Sequence, residues 1–217
     1  MPPRGRIPSG GHELTPELVG TSESLVHTLP RITLVTPSLN QGSFIAGTIE
    51  SVGQQRYANL EYLVIDGGSC DQTRDVVNRY SSIVTDYVSE ADRGQADAIN
   101  KGFARGSGEI FCWLNADDLL EPGTLETIGR LYQRGGFSFV YGDGWKLRDG
   151  GTRRRRIRPG TIDQERLKVR DTILQPSTFW SREVAQRVAD DCRDPPTPVY
   201  LTRRVTVREG APTNDKS

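Results

Sequence analysis

Two adjacent carboxylates, Asp117 and Asp118, follow the apolar run Phe111-Cys112-Trp113-Leu114 after Asn115-Ala116. Such a run reads as a buried strand that delivers acids to the end of a sheet. Paired hard oxygen ligands there can hold a divalent cation, and that cation can hold a diphosphate. The same residues also suit a turn with Asp at the start of the next helix, since Pro122 and Gly123 follow closely. Taken alone, the segment leaves both readings open.

Composition removes several other chemistries. The only two histidines, His12 and His27, lie in the N-terminal stretch, which disfavours histidine catalysis and His-ligated zinc. Cys70, Cys112 and Cys192 are widely spaced and form no CxxC pair, as expected for a reducing compartment. The 28 basic and 28 acidic residues cancel, so no global field favours nucleic acid. No apolar run is long enough to span a membrane, and Met1 to Gly11 lacks the apolar centre of a signal peptide. The expectation is a soluble cytoplasmic protein. There is no glycine fingerprint after the first strand and no GKS or GKT, so neither a classical dinucleotide fold nor a P-loop fits.

The elements that must position the acids follow from periodicity. Residues 1–29 read as a flexible extension. Ile32 to Thr36 is a first strand, ended by Pro37-Ser38-Leu39-Asn40-Gln41-Gly42. A helix is expected over Ser43 to Gln54, with Phe44, Ile45, Ile49 and Val52 toward the core. Leu60 to Ile65 is the second strand, broken by Asp66-Gly67-Gly68. Ser69 and Gln72 suggest a capping box for a helix through Tyr80. A short strand over Val84 to Val88, a helix over Ala96 to Arg105, a strand over Glu109 to Leu114, a helix over Pro122 to Arg134 and a strand over Phe137 to Tyr141 complete the series. This alternation predicts an α/β fold with a mostly parallel sheet covered on both faces.

In such sheets ligands bind outside the carboxyl ends of the strands. Thr36 to Asn40, Asp66 to Ser69 and Asn115 to Asp118 all fall there, so three polar motifs converge on one crevice. Thr36, Ser38 and Asn40 offer small hydrogen-bonding groups. Asp66 can accept from a ribose hydroxyl or a base N–H, and Gly67 and Gly68 let a ligand approach the backbone. Arg93 can neutralise a phosphate, and Asp117 and Asp118 can bind a metal. A nucleoside diphosphate with a divalent ion matches this set. Against it, Asp66 can merely shape a turn, and Arg93 can be a surface ion pair.

From Arg31 to about Trp180 the chain resembles the family 2 glycosyltransferases, which have the GT-A fold, a Rossmann-like three-layer α/β/α arrangement. The motifs that carry the resemblance are Thr36-Pro37-Ser38-Leu39-Asn40-Gln41, Ile65 to Asp71, Glu90 to Gly102, Gly108-Glu109-Ile110, Leu114 to Asp118, Tyr141-Gly142-Asp143 and Gln175 to Trp180. The resemblance implies a glycosyltransferase domain over residues 30–188. It implies that Thr36, Pro37 and Ser38 line a nucleotide pocket, that Asp66 contacts uracil or ribose, and that Arg93 lies near the nucleotide. Asn115-Ala116-Asp117 stands where the family carries its DxD motif. Asn115 replaces the first carboxylate, so ligation of Mg²⁺ or Mn²⁺ falls mainly on Asp117, with Asp118 beside it. The implied reaction is inverting transfer from a nucleotide-sugar, with UDP-sugar as the expected donor, to a saccharide or lipid-linked acceptor. A typical setting is polysaccharide biosynthesis.

After Trp180 the resemblance fails. Ser181 to Ala189 can start a helix, but Pro195, Pro196 and Pro198 oppose what should follow. Residues 189–217 read as a divergent tail, expected to be truncated or read in a shifted frame, and no general base is identified. The alternative function is therefore a nucleotide-sugar-binding remnant without turnover. Arg153 to Arg156, with Arg158, reads first as a solvated loop or exposed strand; an anionic acceptor or peripheral membrane contact is the other reading.

Overall fold

Seven consecutive buried residues, Ile32–Ser38, form strand β1 in the computed structural model, which describes residues 28–148, 153–158 and 173–191. Burial along the whole strand means that both faces of the sheet are covered. Parallel neighbours flank it: β2 (Leu60–Asp66) on one side and β4 (Ile110–Trp113) on the other, with β3 (Asp86–Ser89) beyond β2. The register aligns Ser38 with Asp66 and Ser89, so the carboxyl ends of β1, β2 and β3 lie level. Pro37 faces β4, the side toward which Val35 bonds Leu114, but lies past β4's last paired residue. Its missing N–H therefore breaks no ladder bond.

The helices fill the two outer layers. Ile45, Ile49 and Val52 of α1 (Ile45–Gly53), Val76 and Val77 of α2 (Thr73–Arg79) and Leu125 of α4 (Thr124–Gly135) share one core with Ile32, Leu34, Tyr62 and Val64. On the other face Ala98 of α3 (Gln95–Arg105) packs on Val35, Leu63 and Ile65. There Phe103 meets Phe111 and Trp180 edge-on, at centroid distances of 5.4 and 6.2 Å. α5 (Arg182–Asp191) lies beside α3 and β4. The three-layer α/β/α arrangement read from the alternation is present.

Two expectations change. Phe44 does not join the core: it stands before the first helical residue, outside the helix's buried stripe, and is 61% exposed. Ser69 and Gln72 form no capping box, because Asp66 takes the Ser69 hydroxyl. Asp71 does the capping instead, accepting the Thr73 N–H at 3.0 Å. The sheet is mostly parallel, as expected, with one antiparallel strand. After β5 (Phe139–Tyr141) the chain leaves for a separate two-stranded hairpin, β6 (Gly144–Arg148) and β7 (Arg153–Ile157). It returns through a 3₁₀ turn, Gln175–Ser177, to β8 (Thr178–Ser181), which inserts antiparallel between β4 and β5. The order is β3-β2-β1-β4-β8-β5. The proposed extension lies outside the described residues up to residue 27, and the proposed tail from residue 192.

Candidate functional site

A cleft of about 410 Å³ opens at the carboxyl ends of β1 and β4. Pro37, Ser38, Leu39 and Gln41 form one wall, Asn115, Ala116 and Asp117 another, and Asp92, Gly94, Gln95 and Ala98 a third. Of the residues singled out in the sequence, the cleft brings together Pro37, Ser38, Asn115 and Asp117. The Ser38 hydroxyl is buried and has no hydrogen-bond partner among the described residues. A buried polar atom left unpaired is costly, which makes this one a point where a ligand gains.

The two acids after β4 face different surroundings. Asp117 is exposed, lines the cleft and has no hydrogen-bond or ion-pair partner among the described residues. Asp118 is half-buried and does not line the cleft; its Oδ2 accepts the Asn115 amide at 2.9 Å. Burial pushes the Asp118 carboxyl up, the Asn115 hydrogen bond draws it back and the Asp117 charge adds to the rise. Asn115 in turn accepts the Gln95 side-chain amide at 2.6 Å. The relay Gln95–Asn115–Asp118 thus ties the start of α3 to the end of β4. The acids sit in a turn between β4 and α4, ahead of the helix start at Thr124, and one of them, Asp117, faces the cleft.

Thr36, Asn40, Asp66, Gly67 and Arg93 lie outside the cleft lining, each for a visible reason. Thr36 is fully buried, and its hydroxyl meets the Tyr62 hydroxyl at 3.1 Å. Asp66 is 1% exposed, and its carboxylate accepts from the Ser69 N–H and hydroxyl, from Ser89 Oγ at 2.7 Å and from Tyr87 at 3.3 Å. Asn40 has a φ of +54°, a region that Asn tolerates better than most residues. Its Oδ1 accepts the Cys70 N–H at 3.0 Å, and its own N–H donates to Ser69 Oγ at 2.7 Å. These bonds lace the loop after β1 to the turn after β2. Gly67 in that turn leaves room for the Asp92 carboxylate, which a Cβ there would meet at 2.6 Å and push aside. Arg93 is 84% exposed on its side chain and is committed to Asp97 at 2.7 Å, which helps hold the Asp97 carboxyl below its usual range.

Sequence reasoning did not single out Asp92 and Gln95, two polar residues of the cleft wall. Their signal was positional: both follow β3, in the same segment as Arg93. Gly94 between them has a φ of +112°, a conformation that favours glycine, and its N–H caps Asp92 Oδ1 at 2.8 Å. That turn faces Asp92 and Gln95 into the cleft.

Residues 33–189 match the sequence profile of Glycosyl transferase family 2. The chain belongs to this family. Among its curated relatives is a PGL/p-HBAD biosynthesis glycosyltransferase of Mycobacterium bovis, 26% identical over 70% of this chain and 60% of the relative. Another is a UDP-Glc:alpha-D-GlcNAc-diphosphoundecaprenol beta-1,3-glucosyltransferase of Escherichia coli, 34% identical over 52% of this chain and 45% of the relative. The chain thus spans about half the length of the family members it matches. Among solved structures, S. aureus TarS in complex with UDP-GlcNAc covers 72% of this chain with a TM-score of 0.58 at 16% identity, over 47% of its own chain. A Pyrobaculum calidifontis mannosyltransferase in complex with GDP-Man and Mn²⁺ covers 73% with a TM-score of 0.53 at 22% identity, over 46% of its own chain. These likenesses show the fold, which is of the GT-A type.

Proposed function

We propose that the cleft binds a nucleotide-sugar, with a UDP-sugar as donor, and that the chain transfers the sugar with inversion to a saccharide or lipid-linked acceptor. The observation that carries this reading is the pair of uncommitted groups on the cleft wall: the buried Ser38 hydroxyl and the free Asp117 carboxylate. The volume lies in the range of small-ligand sites, and the position is the crevice at the strand ends. Relatives that use UDP-Glc or hold UDP-GlcNAc support the choice of donor.

Mg²⁺ or Mn²⁺ belongs to the same reading. No three His, Cys, Asp or Glu side chains cluster as ligands among the described residues. A single free carboxylate nevertheless suits a cation held by one protein oxygen, substrate phosphates and water. When bound, such an ion stabilises negative charge on the departing nucleoside diphosphate. Asp117 would hold it. Gln95, Asn115 and Asp118 would keep the Asp117 turn in place. Ser38 would hydrogen-bond the nucleotide. Asp66 would act on base or ribose through the turn that it holds, and Arg93 would reach a phosphate only by leaving Asp97.

Incubation with UDP-glucose, UDP-GlcNAc or GDP-mannose and Mn²⁺, with saccharide and lipid-linked acceptors, tests the proposal through nucleoside diphosphate release. Acceptor-dependent release from a UDP-sugar is the expected result. UDP binding by calorimetry without release would identify a donor-binding remnant. Absence of any nucleotide binding would overturn both.

A further inference from the structure

The β6–β7 hairpin stands apart from the six-stranded sheet and contributes nothing to the cleft lining. Its register pairs Trp145 with Arg156 and Leu147 with Arg154, so these four share one face; Lys146 pairs with Arg155 on the other. Trp145 and Leu147 are 38% and 46% exposed, and the Arg154 guanidinium lies 4.7 Å from the Trp145 ring centroid. Among the described residues only Asp143 opposes the positive charge here, and it is occupied by Arg156 at 2.6 Å and Arg158 at 3.7 Å. Lys146, Arg148, Arg154 and Arg155 are exposed and have no acidic partner among the described residues.

We propose that this hairpin docks the protein on the surface of an anionic lipid bilayer. Two features select a bilayer over a soluble polyanion. An exposed indole and leucine set among cations have a place at a headgroup–acyl boundary, where the ring enters the interface and long basic side chains reach the phosphates. A polyanion offers the apolar pair nothing, and the balanced net charge supplies no long-range field to draw one in. The hairpin also leaves the sheet at the cleft's own edge. β5 runs parallel to β4 with β8 antiparallel between them, so Tyr141 lies at the edge where β4 ends. Gly142 and Ser177 exchange hydrogen bonds of 3.1 and 2.7 Å at the hairpin's root. A docked hairpin therefore brings the cleft mouth toward the lipid surface.

Co-sedimentation of the full chain with vesicles tests this, using phosphatidylcholine alone and phosphatidylcholine with one third phosphatidylglycerol. Binding to the mixed vesicles only is expected, with a blue shift of tryptophan emission that Trp145→Phe removes. Arg154→Gln, on the same face as Trp145, should weaken binding about five-fold, the loss of one cation at the lipid surface. Trp145→Ala should weaken it further, and unchanged urea midpoints would show that the variants are folded. Equal binding to neutral vesicles, no binding to the mixed ones, or unchanged binding in the folded variants would overturn the proposal. So would heparin binding that matches vesicle binding and does not need Trp145, which would mark a general polyanion site.

Discussion

Asn115 gives two neighbouring acids different duties. By donating its amide to Asp118 it keeps one carboxylate as a brace, and Asp117 remains free on the cleft wall. Asp117→Ala should therefore abolish the metal-dependent part of UDP affinity. The expected loss is about 1.5–3 kcal/mol, or roughly ten- to a hundred-fold in Kd, by calorimetry with Mn²⁺ against EDTA. Equal affinities of variant and parent in Mn²⁺ would remove Asp117 from the site. Asp117 was legible in the sequence because an apolar run ending in acids is a local pattern. The roles of Asp92 and Gln95 were not, because the bond from Gln95 to Asn115 joins segments brought together only by the sheet. Asp66 was found by type and position, but the bonds that occupy it come from Ser69 in the turn after β2 and from Tyr87 and Ser89 of strand β3.

At the scale of elements, the site depends on how α3 and the loops before β4 are seated. Glu61 on β2 accepts Thr33 Oγ1 at 2.5 Å and the Ser107 N–H at 2.7 Å. Burial alone would raise its carboxyl. The Thr33 and Ser107 hydrogen bonds and the Arg31 charge outweigh that and leave it below the usual value. A depressed carboxyl contributes stability above its unfolded pKa, and that contribution is lost as pH falls through the folded one. Glu61→Gln should thus lower stability at pH 7 by about 0.5–1 kcal/mol, the low end that partial exposure allows. The gap from the parent should close as pH drops below about 4.5, as followed by urea denaturation. Gly102 sets the approach of α3 to β1, since a Cβ there would stand 2.5 Å from Val35 Cγ1. Gly102→Ala should cost roughly 1–3 kcal/mol in the same assay, and no change would mean that the contact relaxes freely. Long periodic helices such as α3 and α4 were legible within a residue or two. The start of α2 was misread because Ser69, a good cap by type, is drawn to Asp66 instead.

The molecule as a whole is a layered α/β sheet whose strand ends form one crevice, and donor binding should be felt throughout it. UDP with Mn²⁺ at about a hundred times Kd should add ~2.7 kcal/mol, raising Tm by about 5–11 °C in a thermal-shift assay. EDTA should remove much of that rise, and an unchanged Tm would count against donor binding. The α/β class was readable from strand–helix alternation alone. The place of β8 was not, since a four-residue strand carries little pattern and its partners lie far away in the chain. That strand has a consequence for biosynthesis. β4 ends at Trp113, but the neighbour that covers its outer edge begins only at Thr178. While the ribosome makes the intervening residues, the nascent sheet presents an unpaired, apolar border. Such borders recruit other chains. Slow translation or premature termination before Thr178 should therefore yield aggregated fragments in place of a soluble shorter fold.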